Sequence, residues 1–312
     1  MKNKLLVLLF ATVLSSLINK TYAQNSDLEI TYRQNNDNSV DFNYRKTMHG
    51  NVYVSIKLDD LQNASQNRYQ GCLQSRMGKV FTLKPKNPEG GIGFSYSYRY
   101  QRGKPIFKVK KDFVYLLPFK NKVKVQMQKM GYLGKRFGRG APNSWTAFQF
   151  CTDSLESVLA ARRGLVVEVI DQYSIDTTRN AIYKSSVNEV IIEHKDGTMA
   201  HYSGFKKGSI CVKPGQYVYP NEELGKTGRN NSEQNYKLHF YIYYLNTRDI
   251  FDLRTKEDKM NIYAFVNPCF HWQGGESIIL PRNSYVAECT EELIMQEFSR
   301  REKKKYQKRQ LN

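Results

Sequence analysis

The sequence predicts a mainly β protein. An immunoglobulin-like β-sandwich comes first, then a domain built on an antiparallel β-sheet, then a short basic C-terminal helix. Apolar and polar residues alternate with period two in short runs along most of the chain. Turns bearing Gly, Asn and Pro separate those runs. Aromatic residues make up 13% of the 312 residues, including 22 tyrosines, a composition that favours pleated sheet. The hydrophobic content of 40% is enough for packed cores, and the length suits about two domains.

Residues 1–23 read as a secretory signal. Lys2 and Lys4 make the positive start, 5–18 an apolar core shorter than a membrane span, and Ala23 a small residue at the cleavage position. An uncleaved anchor is the alternative. Gln24 follows instead of Cys, so no lipid anchor is indicated, and no later segment is apolar enough for a transmembrane span. The expected location is secreted or periplasmic, associated with the cell envelope. The formal net charge is +19 and stays strongly positive after cleavage, which favours an anionic partner. Nucleic acid is not expected, because the charge is spread and no recognition motif accompanies it. Export makes disulfides possible. Cys72, Cys151, Cys211, Cys269 and Cys289 are odd in number, so at least one has no partner within the chain. Cys269 and Cys289 are a candidate pair, and no spacing fits a zinc motif.

The first domain is expected over 24–113. Its strands are LEITYR, VDFNYR, NVYVSIKL, KVFTLKP, IGFSYSYRY and PIFKVKK, spaced as in a sandwich. His49 reads as a solvated loop residue. Asp59 and Asp60 read as strand-end residues, with too few oxygen ligands nearby for calcium. The second domain is expected over 114–289. VYLLPF enters it, KNKVKVQMQ alternates like a strand, and a basic glycine-bearing loop runs to Gly140. AARRG turns into LVVEV, 171–186 is a polar loop, and 188–245 carries four or five short antiparallel strands with His194, His201 and His239. A charged loop follows to Met260. The segment 290–312 reads as a basic helix or tail with a narrow apolar patch of Leu293, Ile294 and Phe298; it suits an anionic surface or solvent.

The order LPF, AARRG-LVVEV, NEVIIEHKDGT, YSGF-KKGSI-VKPGQYV, LGKTG and LHF resembles the lysostaphin/LytM-type zinc endopeptidases, the twenty-third metallopeptidase family. The resemblance spans roughly 114–244. It implies a LytM-type antiparallel sheet, a zinc held by two His and one Asp with an open position for water, and peptide crosslinks of peptidoglycan as substrate. Two further histidines would steady that water. One lies in Tyr-x-His-Leu and the other opens a His-x-His pair, whose members share a strand face.

Carried over position by position, most of that chemistry is missing. The ligand Asp falls on Gln149, and the turn after it becomes Leu155-Glu156-Ser157-Val158. No histidine lies between His49 and His194, so the upstream ligand is absent. Tyr-x-His-Leu falls on Tyr202-Ser203-Gly204-Phe205, and His-x-His on Lys237-Leu238-His239. Only His239, a vestigial ligand, survives. One imidazole cannot hold a catalytic zinc, and a lysine beside the site repels a dication. Substitutes for the lost ligands are not evident: His201 is expected to face away, His194 belongs to a turn, Asp153 lies past a turn, Cys151 and Cys211 lie at odds with the ligand positions, and His271 follows the domain. No cofactor is expected, or zinc if the site is rearranged. The expectation is an inactive peptidase-like module binding peptidoglycan or an envelope protein through a groove of Gln149, Tyr202, Gly204, Lys237 and His239. Gly204 would open space there, and Lys237 would pair a carboxylate. An active zinc endopeptidase with displaced ligands is the first alternative, and a structural or surface-assembly protein the second.

Overall fold

The computed structural model describes residues 27–106, 108–110, 112–132, 140–174, 187–229, 235–247, 249–251, 253, 255–278 and 283–310. The expected signal segment, 133–139 of the expected basic loop and most of the expected loop 171–186 lie outside the described residues. The elements are β1 (Leu28–Gln34), β2 (Val40–Lys46), β3 (Val52–Gln62), β4 (Arg68–Leu73), β5 (Met77–Leu83), β6 (Gly93–Arg102), β7 (Val114–Leu116), β8 (Lys124–Lys129), β9 (Phe148–Thr152) and β10 (Ser157–Leu159). There follow β11 (Gly164–Ile170), β12 (Glu189–Glu193), β13 (Met199–Ser203), β14 (Tyr217–Val218), β15 (Glu223–Lys226), β16 (Tyr236–Leu245), α1 (Lys256–Met260), β17 (Tyr263–Val266), β18 (Cys269–Trp272), β19 (Gly275–Ile278), β20 (Ser284–Val286), α2 (Glu291–Ile294) and α3 (Arg300–Gln310). The protein is mainly β, as its alternating pattern predicts.

β1–β6 form two three-stranded antiparallel sheets, ordered β1-β2-β5 and β4-β3-β6. Their inner faces share one core in which Leu28, Phe42, Val54 and Ile56 are fully buried. The seven strands of a constant-type immunoglobulin sandwich are thus reduced to six. The described residues of PIFKVKK supply no strand. Among its described residues only Pro105 makes a bridge, to Leu245. RYQGCL, by contrast, forms β4 against β3. His49 is half-buried and packs on Gly215 of the second domain, so it is not a solvated loop residue.

The second domain is a large sheet ordered β14-β11-β12-β13-β16-β9-β8-β20, with β17 beside β16. One face carries the core: Tyr202, Phe240, Phe150, Ile192 and Val166 pack against Phe119, Phe270, Val158 and Leu224. Those last residues come from β10 with β15 and from the chain around β7 and β18, which pair in parallel. The sandwich caps one end of the other face. Glu193 accepts hydrogen bonds from the backbone and side-chain amides of Asn51, and Arg102 pairs with Glu168 at 2.7 Å.

The C-terminal segment is neither one helix nor a solvated tail. Ser299 interrupts it by capping α3: its hydroxyl accepts from Glu302 N, and its own N–H donates to the Glu302 carboxylate at 2.7 Å. The patch read as a possible membrane face is turned onto the domain. Ile294 is buried, and Phe298 packs edge-on to Tyr219 at 5.3 Å. Arg162, buried under this segment, donates to both oxygens of Glu297 at 3.0 and 2.7 Å and to Asp196 at 2.8 Å. Its guanidinium stacks 3.8 Å from the Phe113 ring centre. All five cysteines are free thiols, so Cys269 and Cys289 are not bridged.

Candidate functional site

The site is built on four neighbouring strands. β16 pairs with β9 so that His239 lies opposite Gln149 and Lys237 opposite Cys151. β9 sets Gln149 opposite Gln128 on β8, and β13 sets Ser203 opposite His239 and His201 opposite Tyr241. Directly opposed residues share a sheet face, as do alternate residues along a strand. Gln128, Gln149, Cys151, Lys237, His239 and His201 therefore share the face turned away from the core.

This corrects three expectations. His201 does not face away from His239. β13 ends at Ser203 and Gly204 leaves it with φ +96°, so counting three back from Gly204 misassigns the face. His201 is held by stacking on Tyr241, with ring centres 4.4 Å apart, and by Glu189, whose carboxylate lies 3.0 Å from Nε2. Cys151 is not at odds with Gln149 but shares its face, and Gln149 Nε2 donates to its sulfur at 3.3 Å. Tyr202 does not line a groove. It is fully buried, and its hydroxyl accepts a hydrogen bond from Ala161 N at 3.0 Å.

Gly204 does not open room for a ligand either. A Cβ on it would lie 3.1 Å from the carbonyl oxygen of Lys237. Its N–H donates to Asn188 O, and its carbonyl accepts from Gly228 N at 2.7 Å, so glycine here serves a close backbone crossing. His194 does sit in the turn after β12, yet it is buried, with Nδ1 2.8 Å from Arg163 O. Burial, reinforced by Arg162, holds its pKa far below the usual imidazole range. His271 is paired with Glu288 at 2.9 Å on β18.

At the heart of the face, His239 Nε2 lies 3.2 Å from Gln149 Oε1. An amide oxygen only accepts, so Nε2 carries the hydrogen and donates it. The Gln149 amide in turn donates to Gln128 Oε1 at 3.4 Å. These residues do not fit a catalytic zinc. There is one imidazole with Nε2 committed to an amide, a neutral amide where a carboxylate is needed, and a lysine on the same face. Among the described residues, no group of three or more His, Cys, Asp and Glu is placed to hold a metal.

Beyond His239 the face becomes aromatic. Tyr241 and Phe265 lie 5.9 and 4.7 Å from Trp145, and Tyr132 lies 5.0 Å from it. Sequence reasoning missed this row, as it missed Gln128 and Cys151. The signals were available in the alternation of KVQMQ and in the two-residue step from Gln149 to Cys151.

Residues 143–251 match the sequence profile described as Peptidase family M23. This segment is an M23 peptidase-family domain. The match covers Gln149, Gly204, Lys237 and His239, so the positions expected to correspond to the family's site lie inside it. No curated protein matches the chain. Among solved structures, Csd3 of Helicobacter pylori is similar at 12% identity, covering 91% of this chain and 77% of its own, with a TM-score of 0.29. The glycyl-glycine endopeptidase LytM-like protein of Ruminococcus gnavus shares 15% identity over 42% of this chain and 55% of its own, with a TM-score of 0.28. Pseudoalterin, an M23 metalloprotease from the deep sea, shares 13% identity over 57% of this chain and 99% of its own, with a TM-score of 0.32. At these TM-scores the likenesses add nothing to the assignment, which rests on the family match. No helix of the described residues is long and apolar enough to cross a membrane.

Proposed function

We propose that the M23 domain of this chain is a binding or regulatory module of the cell envelope that holds a peptide or protein partner without cutting it. The observation that carries this reading is the hydrogen bond between Gln149 and His239. Where the family places a carboxylate and an imidazole on a metal, here an amide and an imidazole satisfy each other. The partner would lie across Gln149 and His239 and against Trp145 and Tyr241, with Lys237 adding positive charge to the face. The basic first 23 residues with their apolar core support export, and peptidoglycan is the expected ligand.

The test uses purified mature protein. Metal analysis should find no stoichiometric zinc, purified cell walls should stay turbid, and the walls should still pull the protein down. Binding should fall in His239→Ala and Trp145→Ala. About one zinc per chain together with chelator-sensitive clearing of the walls would instead establish an active endopeptidase with rearranged ligands. Absence of binding to walls would sink the peptidoglycan assignment.

A further inference from the structure

The turn between β14 and β15 and the α2–α3 pair enclose a cleft of about 510 Å³, within the range of small-molecule sites. Its apolar wall is Ile294, Phe298, Tyr219 and Tyr306. The rings meet edge to face: Tyr219 lies 5.3 Å from Phe298 at 74°, and Tyr306 lies 5.8 Å from it at 79°. With both ring pairs edge to face, the wall offers no parallel pair of rings for a flat ligand to enter.

The charges in the lining are not equivalent. Glu302 is engaged, accepting from Arg163 Nη2 at 2.8 Å and from Ser299 N at 2.7 Å. Arg163 is engaged in the same pair. Glu222, from the turn between β14 and β15, accepts from Tyr219 N at 3.1 Å. Lys305 also lines the cleft, and it has no ion-pair partner among the described residues. Arg301 and Lys308 stand four residues before and three after it on α3, so all three cations project along one side of the helix. Neither flanking cation has an ion-pair partner among the described residues. A row of positive charge therefore edges an apolar hollow.

We propose that this cleft binds a single-chain amphiphile with an anionic head: the alkyl chain lies against Phe298, Ile294 and Tyr306, and the head sits on Lys305. A monomeric amphiphile fits better than a bilayer surface, because the apolar wall is shared between the β14–β15 turn and the α2–α3 segment, with Ile294 buried and Phe298, Tyr219 and Tyr306 half-buried. This site lies on a different part of the domain from the Gln149–His239 face, and it stands whether or not that face binds a partner.

Calorimetry on the mature full chain with decyl phosphate below its micelle concentration tests the proposal. One molecule should bind per chain. Lys305→Glu and Tyr306→Ser should each weaken binding at least tenfold while thermal unfolding stays close to wild type. Decyltrimethylammonium and inorganic phosphate should bind at least tenfold more weakly. The proposal fails if decyl phosphate does not bind, if both variants bind it as wild type does, if the cationic analogue or phosphate alone binds equally well, or if only anionic vesicles bind.

Discussion

The Nε2 of His239 donates to the Oε1 of Gln149 across two paired strands, at 3.2 Å, in register with Gln128 one strand further on. The three side chains form a line of hydrogen bonds across the sheet face turned away from the core.

Gln149→Leu removes the middle of that line. His239 loses its acceptor and Gln128 its donor, on a half-buried surface. The expected loss is about 1–2 kcal/mol of unfolding free energy, read from urea denaturation. An unchanged midpoint would show that the line contributes nothing to stability.

Gly204→Ala should destabilise by about 2 kcal/mol. A residue with a Cβ is strained at φ +96°, and the new atom would press on the Lys237 carbonyl from 3.1 Å. Gly204→His, the residue expected from the Tyr-x-His-Leu resemblance, should be at least as damaging. Its thermal midpoint should fall below that of Gly204→Ala, and a midpoint equal to wild type would contradict the geometry.

His194 should make the protein acid-sensitive. Burial and then Arg162 depress its pKa in the folded state, so the unfolded chain takes up the proton first. Its contribution is intact above the unfolded pKa of about 6.5 and is lost as pH falls below it, by up to about 1.4 kcal/mol per pH unit. Wild type should therefore lose stability faster than His194→Gln between pH 7 and pH 5 in parallel denaturation series. Parallel curves would exclude this residue as the source.

Arg162→Leu leaves Glu297 and Asp196 without their cation under the C-terminal segment, and the cost is expected at about 3–5 kcal/mol. Arg162→Lys should recover only part of it, because the planar fork serves both Glu297 oxygens while also reaching Asp196. Limited proteolysis should cut near 295–299 in the leucine variant well before wild type is cut. Equal cutting rates would place the anchor elsewhere.

Most strands were legible because period two survives wherever one face is buried, as in LEITYR, VDFNYR and YKLHFYIYYL. PIFKVKK has the same alternation, but its described residues find no strand partner beyond the bridge at Pro105, and pattern alone carries no information about pairing. α1 was missed inside a charged loop, although Thr255 and Asp258 spell out its capping box. The break between α2 and α3 was likewise written in Ser299 and Glu302. In the site, motif order named the positions to compare with the family, and all of them lie inside the matched segment. The directions of their side chains were not legible there. The facing of His201 depends on where β13 stops, and that is decided by a backbone crossing at Gly204 between segments far apart in sequence.

The parallel pairing of β7 with β18 joins the first strand of the second domain to one near its end: Val114 meets Cys269, and His271 meets Leu116. Phe270, between them, is fully buried among Phe148, Phe150 and Phe240. A chain growing from its N-terminus holds every strand of the sandwich by residue 102, yet the second domain still lacks its closing strand when residue 251 is added. The two halves thus become able to fold at different moments of synthesis. A fragment ending at the boundary of the family match would keep Gln149 and His239 and lose the ring that plugs the core beneath them.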